Sequence, residues 1–199
     1  LKQIHSNNVL HRDIKEANYL IFPFYNPLIR EFQYGLQYID FGFSAYLEND
    51  EEKLQKPVGT PSRIAPETLS KDVLNSPASD LYSFCVCLLR LYQIDYMPIT
   101  WTSEAPITPD ANPTTKFTHY FPTHQALKKY SKASSLLLLS TEDRGTIIAL
   151  LSSGLCENPS ERPAIDEFIS ALETIYKTEF KQAYKHFHQP DYCYAQSTD

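Results

Sequence analysis

The sequence predicts a mainly α-helical domain with one small β-hairpin near its start. Three stretches carry that reading. "NYLIFPFY" and "FQYGLQYIDF" are apolar, aromatic-rich runs around a connector containing Asn26 and Pro27, the pattern of two strands joined as a hairpin. "DLYSFCVCLLRLY", after Pro77, is apolar nearly all round, as a helix buried on most faces must be. "AIDEFISALETIYKTEF" repeats Ile165, Phe168, Ile169, Leu172, Ile175 and Tyr176 at helical spacing. The 199 residues suffice for one domain with a sizeable core, and 42% hydrophobic with 21% charged residues argues against both disorder and a membrane span.

In chain order, "LKQIHSNNVL" reads as the end of a helix, with Leu1 and Ile4 at i, i+3 spacing and the Ser6-Asn7-Asn8 run able to stop it. The hairpin follows. Residues 44–63 are polar, with Gly59 and Pro61, and read as a long loop. The helix after Pro77 then supplies the core. Residues 97–123 contain Pro98, Pro106, Pro109, Pro113 and Pro122, too many for a regular helix or a central strand, and form a Pro-rich surface insert. Helices resume at "HQALKKYSKASSLLLL" and at "TEDRGTIIALLSSGL". The second has Thr141 as its N-cap and Glu142 and Asp143 in its first turn, where the helix dipole favours them. Residues 188–199 form a C-terminal tail.

The net charge of −6 is mild and gives no sign of a nucleic-acid surface, so an anionic ligand must be held by a local arrangement. Cys85, Cys87, Cys156 and Cys193 make no C-x-x-C pair and read as free thiols of a reducing compartment. The chain opens on Leu1 and its sole methionine is Met97, so it reads as a fragment. No targeting segment is in view, and the expected setting is cytoplasmic or otherwise intracellular, with no membrane partner.

The chemistry concentrates in "HRDIKEAN", His11 to Asn18. Asp13 and Asn18 can present a carboxylate and an amide side by side, and Asp40 follows a strand on the far side of the hairpin. Together they make an oxygen-rich cluster suited to Mg²⁺, with Lys15 as a cation among them. Metal-bound phosphates beside a free carboxylate are what phosphoryl transfer to a hydroxyl requires.

At the motif level the chain resembles the eukaryotic-type protein kinases. "HRDIKEAN" is similar to their catalytic loop, "DFG" at Asp40 to Gly42 to their metal-binding turn, and "GTPSRIAPE" to the end of their activation segment. "SDLYSF" resembles the start of their central helix and "ENPSERP" the motif before their last helix, all in the family's order. The resemblance implies the C-terminal lobe of such a kinase, α+β when complete, with residues 1–199 lacking the N-terminal lobe and no G-x-G-x-x-G in the chain. It implies ATP and Mg²⁺, or Mn²⁺ in its place, as cofactors. The implied partners are a protein substrate with a Ser/Thr acceptor and the missing lobe or a partner chain.

The same resemblance implies roles residue by residue. Asp13 would take the acceptor hydroxyl's proton, Lys15 would stabilise the transferring phosphoryl group, and Asn18 and Asp40 would hold the metal. Leu20 would pack beneath adenine, Thr60 would hydrogen-bond near Asp13 and Lys15, and Thr60 with Lys15 implies Ser/Thr acceptors. His11, Phe41 and Gly42 would be structural, Glu67 and Arg162 a buried ion pair, and Asp80 a brace for the catalytic loop. Arg12 would meet a negative partner. Residues 45–58 contain no Ser or Thr, so either the acidic run Glu48, Asp50, Glu51 and Glu52 supplies it or that run is a solvated charged loop.

The chain departs from the family pattern at three places. Glu16 stands where proline is common, Ala17 where many members have glutamate, and Arg63 where an aromatic residue is common. Arg63, beside the peptide-docking loop of the family, reads either as a departure that bears on substrate docking or as a merely solvated side chain. Two other classes fit parts of the sequence. A pseudokinase or binding module would keep the fold without the chemistry, and a small-molecule kinase would share the aspartate and asparagine but not "GTPSRIAPE".

Overall fold

A computed structural model describes residues 1–28, 30–70, 74–101, 117–133 and 136–175. Much of the 97–123 insert, the 188–199 tail, Cys193 and the stretch from Tyr176 to Phe180 lie outside the described residues.

The longest helix among the described residues, α3 (Pro77–Leu91), starts where the sequence supplies both a stop and a start. Pro77 at the first helical position has its φ already set, and the Ser79 hydroxyl accepts the Ser76 N–H at 3.2 Å. Leu81, Tyr82, Cys85, Val86, Leu88 and Leu89 are buried, covering two adjacent faces that meet the rest of the core. α5 (Thr141–Gly154) packs against α3, and residues 165–175 form α6, which seals the far side with Phe168. The N-cap of α5 is Ser140, not Thr141. Ser140 has extended backbone and its Oγ accepts the Asp143 N–H at 3.0 Å, so the hydroxyl that satisfies an orphan amide sits one residue earlier than the sequence suggests.

The stretch after Thr123 is not one helix. α4 spans only His124–Lys128, and a 3₁₀ turn follows at Leu136–Leu138. The reason lies in Leu127 and Leu136, both fully buried in the same core. Nine residues apart, they would fall on opposite faces of a continuous helix at about 100° per residue. Turn bonds from Ala133 to Tyr130 (2.8 Å) and from Leu136 to Ala133 (2.9 Å) bring both inward.

The β structure is more extensive than one hairpin. The hairpin itself is β2 (Tyr19–Asn26) with β3 (Glu31–Tyr38), antiparallel, Tyr19 facing Tyr38 and Phe22 facing Gly35. The Phe22 ring lies over Gly35, where a Cβ would come within 2.6 Å of it. Before the hairpin come α1 (Lys2–His5) and β1 (Val9–Leu10). β1 pairs with β4 (Ala45–Tyr46), and α2 (Glu51–Leu54) follows. Residues 44–63 are therefore not a plain loop: Leu54, 2% exposed, anchors them beside Leu10 and Ala45. The ends of the Pro-rich insert pair as β5 (Ile99–Trp101) and β6 (Phe117–His119). Among the described residues, no helix is long and apolar enough to cross a membrane.

Close approach of α5 to α3 needs Gly154. A Cβ there would collide with Cys85 Sγ and sit 3.4 Å from the Phe168 ring. Gly154→Ala is expected to lower stability by about 1–3 kcal/mol through overpacking, with part recovered in the Gly154→Ala/Cys85→Ala double variant, as measured by urea unfolding.

Candidate active site

The loop from His11 to Asn18 is shaped from below by Asp80, in the first turn of α3. Its carboxylate is 2% exposed and accepts the His11 N–H (2.9 Å) and the Arg12 N–H (2.9 Å), and it pairs with His5 Nε2 (3.0 Å). Those bonds hold Arg12 at φ 68°, a left-handed conformation that L-residues other than Gly, Asn and Asp seldom adopt. His5 belongs to no motif of the chain and is a partner that sequence reasoning missed. The His11 ring is fully buried against Tyr38 and Phe41, at centroid distances of 5.5 and 4.8 Å. Its Nε2 donates to the Ile39 carbonyl (3.1 Å) and its Nδ1 accepts the Asp13 N–H (3.3 Å), so both nitrogens are committed to structure.

Asp13 is the hub. Its buried carboxylate accepts the Thr60 hydroxyl at 2.6 Å, Lys15 Nζ at 2.6 Å and Asn18 Nδ2 at 3.1 Å. Lys15 also donates to Thr60 Oγ1 (3.2 Å), and Asn18 Nδ2 to the Asp13 carbonyl (2.9 Å). Three residues from two distant segments thus converge on one carboxylate. The approach of the second segment depends on Gly59, at φ 123°, where a Cβ would stand 2.8 Å from the Arg12 carbonyl oxygen.

Asp40 lies at the rim. It is exposed, at φ 62°, and its Oδ1 accepts the Gly42 N–H (3.3 Å). It makes no direct bond to Asp13, Lys15 or Asn18 among the described residues. The backbone nonetheless brings it close, because the Ile39 N–H donates to the Asn18 carbonyl (3.0 Å). With the amide nitrogen of Asn18 committed to Asp13, its side-chain oxygen is left as a donor, and Asp40 adds carboxylate oxygen, hard donors of the kind Mg²⁺ takes. Leu20 is 49% exposed on β2 and Phe41 is 47% exposed, leaving an open apolar rim above the loop.

Arg12 makes no hydrogen bond to the acidic run among the described residues, although the Asp50 carboxylate acts on its charge. Its guanidinium donates to the Phe43 carbonyl (3.2 Å) and the Lys56 carbonyl (2.6 Å), and burial lowers its pKa to about 10. The acidic side chains are engaged elsewhere: Glu48 accepts from Asn8 (2.8 Å), Asp50 from the Tyr46 N–H (3.0 Å) and Lys53 (3.2 Å), and Glu52 pairs with Lys56 (2.8 Å). The half-buried Arg12 gives its hydrogen bonds to backbone carbonyls, and Asp50, whose side chain is only 21% exposed, adds negative charge without a direct bond.

Two ion pairs tie the segment after Gly59 to its surroundings. Arg162 reaches Glu67 through both terminal nitrogens (2.6 and 2.8 Å), with side chains 0% and 4% exposed, and also donates to the Cys156, Ala78 and Glu157 carbonyls. Arg63 is not solvated. Its side chain is 5% exposed, and Nη2 donates to both carboxylate oxygens of Glu16 at 2.9 and 2.7 Å. Sequence reasoning noted both residues as departures without pairing them, although their opposite charges were the available signal.

A buried carboxylate that already accepts a hydroxyl, beside an ammonium and hard oxygen donors, can orient an alcohol and take its proton next to a phosphate. In keeping with that site, the protein kinase domain family model matches residues 1–172, and the chain belongs to that family. It is 35% identical over 94 residues to CBL-interacting serine/threonine-protein kinase 8 of Arabidopsis thaliana, covering 47% of this chain and 19% of that protein. It is 28% identical over 172 residues to serine/threonine-protein kinase PLK2 of Mus musculus, covering 85% of this chain and 20% of that one. A probable serine/threonine-protein kinase CCRP1 of Zea mays is 30% identical over 169 residues, covering 85% and 22%. The chain spans about a fifth of the length of these curated relatives.

Removing Glu67 would leave the Arg162 guanidinium buried without its counter-charge. Glu67→Ala is expected to cost about 3–5 kcal/mol in urea unfolding, and Glu67→Leu/Arg162→Met to recover a large part of that loss.

Proposed function

We propose that this chain is the C-terminal lobe of a protein kinase that transfers the γ-phosphate of ATP to Ser or Thr hydroxyls of proteins. The convergence of Thr60, Lys15 and Asn18 on the Asp13 carboxylate carries this reading. In it, an acceptor hydroxyl approaches Asp13, which orients it and takes its proton, while Lys15 lies against the oxygens that gain charge. When bound, ATP supplies the phosphoryl group and Mg²⁺ neutralises its phosphate charge, with Asn18 and Asp40 as the protein's ligands and Leu20 beneath the base. Ser/Thr selectivity rests on Lys15 and Thr60 and on the serine/threonine kinases among the relatives.

The assignment to one lobe is supported by the surface the site opens onto. A cavity of about 680 Å³ lies between α1, β3 and β4, lined in part by Leu1, Ile4, Val9, Leu36, Phe41 and Tyr46. Its wall is mixed, with Gln3, Asn7, Gln37, Asp50 and Lys53 beside those apolar residues, and Leu20 and Ile21 of β2 expose further apolar surface; in this reading an N-terminal lobe carrying the glycine loop and phosphate-binding lysine covers it. The 97–123 segment is then an insert of the lobe and 188–199 its tail. Free thiols at Cys85, Cys87 and Cys156 support a reducing, intracellular setting.

In the full-length protein, Asp13→Asn is expected to keep the melting temperature and lower turnover by about 10²–10⁴-fold, measured with radiolabelled ATP and a mixed Ser/Thr peptide library. Unchanged turnover would remove Asp13 from the role of base.

A further inference from the structure

We propose that the Glu16–Arg63 ion pair is a positioning pair for the acceptor side of the site. It would lock the segment 60–63 to the catalytic loop and so set the geometry of the Thr60–Asp13 hydrogen bond. The inference rests on the kinase reading for what is positioned, while the lock itself is a property of the fold.

The two segments meet through two rungs. Thr60 Oγ1 donates to Asp13 Oδ1 at 2.6 Å, and three residues further along each segment Arg63 Nη2 donates to Glu16 at 2.7 and 2.9 Å. Each side is itself braced. The Arg63 N–H closes a turn onto the Thr60 carbonyl (2.9 Å), and the Asn18 N–H closes one onto Lys15 (3.0 Å). The Arg63 carbonyl accepts the Ser83 hydroxyl (2.8 Å), which fastens the same residue to α3. A shift of Arg63 therefore drags Thr60, and a 2.6 Å bond from hydroxyl to carboxylate tolerates little displacement.

The pair is asymmetric, and the asymmetry is what makes it testable. Arg63 is 5% exposed and Glu16 45%. Arg63 Nη1 is held by the carbonyl and hydroxyl of Ser62, and its buried Nε has no partner among the described residues. Glu16 is the carboxylate that balances this guanidinium. Without Glu16 a buried cation is left uncompensated, whereas without Arg63 water can take over the carboxylate. The pair joins the segment carrying Thr60 to the loop carrying Asp13, and neither Arg63 nor the Glu16 side chain bonds to Asn18, Leu20 or Asp40 among the described residues, so its loss should fall on the protein acceptor and leave nucleotide affinity alone.

The test compares Glu16→Gln, Arg63→Met and the double variant in the full-length protein, by amide hydrogen exchange over residues 59–65 and by phosphotransfer to a Ser/Thr peptide library. Glu16→Gln should speed exchange at 60–64 by about tenfold or more with α5 unchanged, and Arg63→Met should do so less. The double variant should resemble Arg63→Met, because removing the cation removes the penalty. Peptide turnover should fall in step, with KM for Mg-ATP held within about twofold. Exchange in Glu16→Gln at the wild-type rate, or single effects that simply add in the double variant, would overturn the lock. A lock seen by exchange with peptide turnover unaffected would overturn the positioning role. Absence of phosphotransfer in the wild type would instead fail the kinase reading, and the exchange arm would still decide the pair.

Discussion

The buried carboxylate of Asp80 is the constraint on which the candidate site depends. Two consecutive backbone amides, His11 and Arg12, point at one side chain in the first turn of α3, and the chain can do this only by taking Arg12 into the left-handed region. That turn aims Asp13 at the second segment and sends the Arg12 guanidinium to the carbonyls of Phe43 and Lys56. A carboxylate in the first turn of a helix is favoured by the helix dipole, and three partners compensate its burial. Without it, two amide groups would be orphaned beneath the loop.

Charge pairs in this fold serve geometry more than stability. Glu67–Arg162 and Glu16–Arg63 each join residues far apart in sequence, and burying such pairs gains little over well-packed apolar groups. What they fix is where residues 60–67 run relative to α3 and to the catalytic loop. Gly59 makes the same point by exclusion, since any side chain there would meet the Arg12 carbonyl. Precision at Asp13 is therefore spread over contacts well outside the loop that carries it.

Local signals were legible in the sequence, and contacts that only folding creates were less so. α3 could be read because one apolar stretch follows Pro77, and the hairpin because its two aromatic runs flank a short connector. The break after Lys128 could not, since it follows from two leucines sharing one core. Ser140 and Thr141 are both good caps, and backbone geometry alone chose between them. The loop cluster was recognisable from "HRDIKEAN", whereas the partner of Arg63 is 47 residues away and invisible to any local pattern. The acidic run was legible as charge but not as bonding: Asp50 does act on Arg12 electrostatically, while the hydrogen bonds of these carboxylates go to nearby lysines, Asn8 and the Tyr46 amide.

The dependence on Asp80 is tested most directly by amide hydrogen exchange at His11 and Arg12 in an Asp80→Ala variant of the full-length protein. The account predicts that exchange at these two amides accelerates by about a hundredfold or more while α5 keeps its protection. Wild-type protection at His11 and Arg12 in a folded Asp80→Ala protein would contradict it.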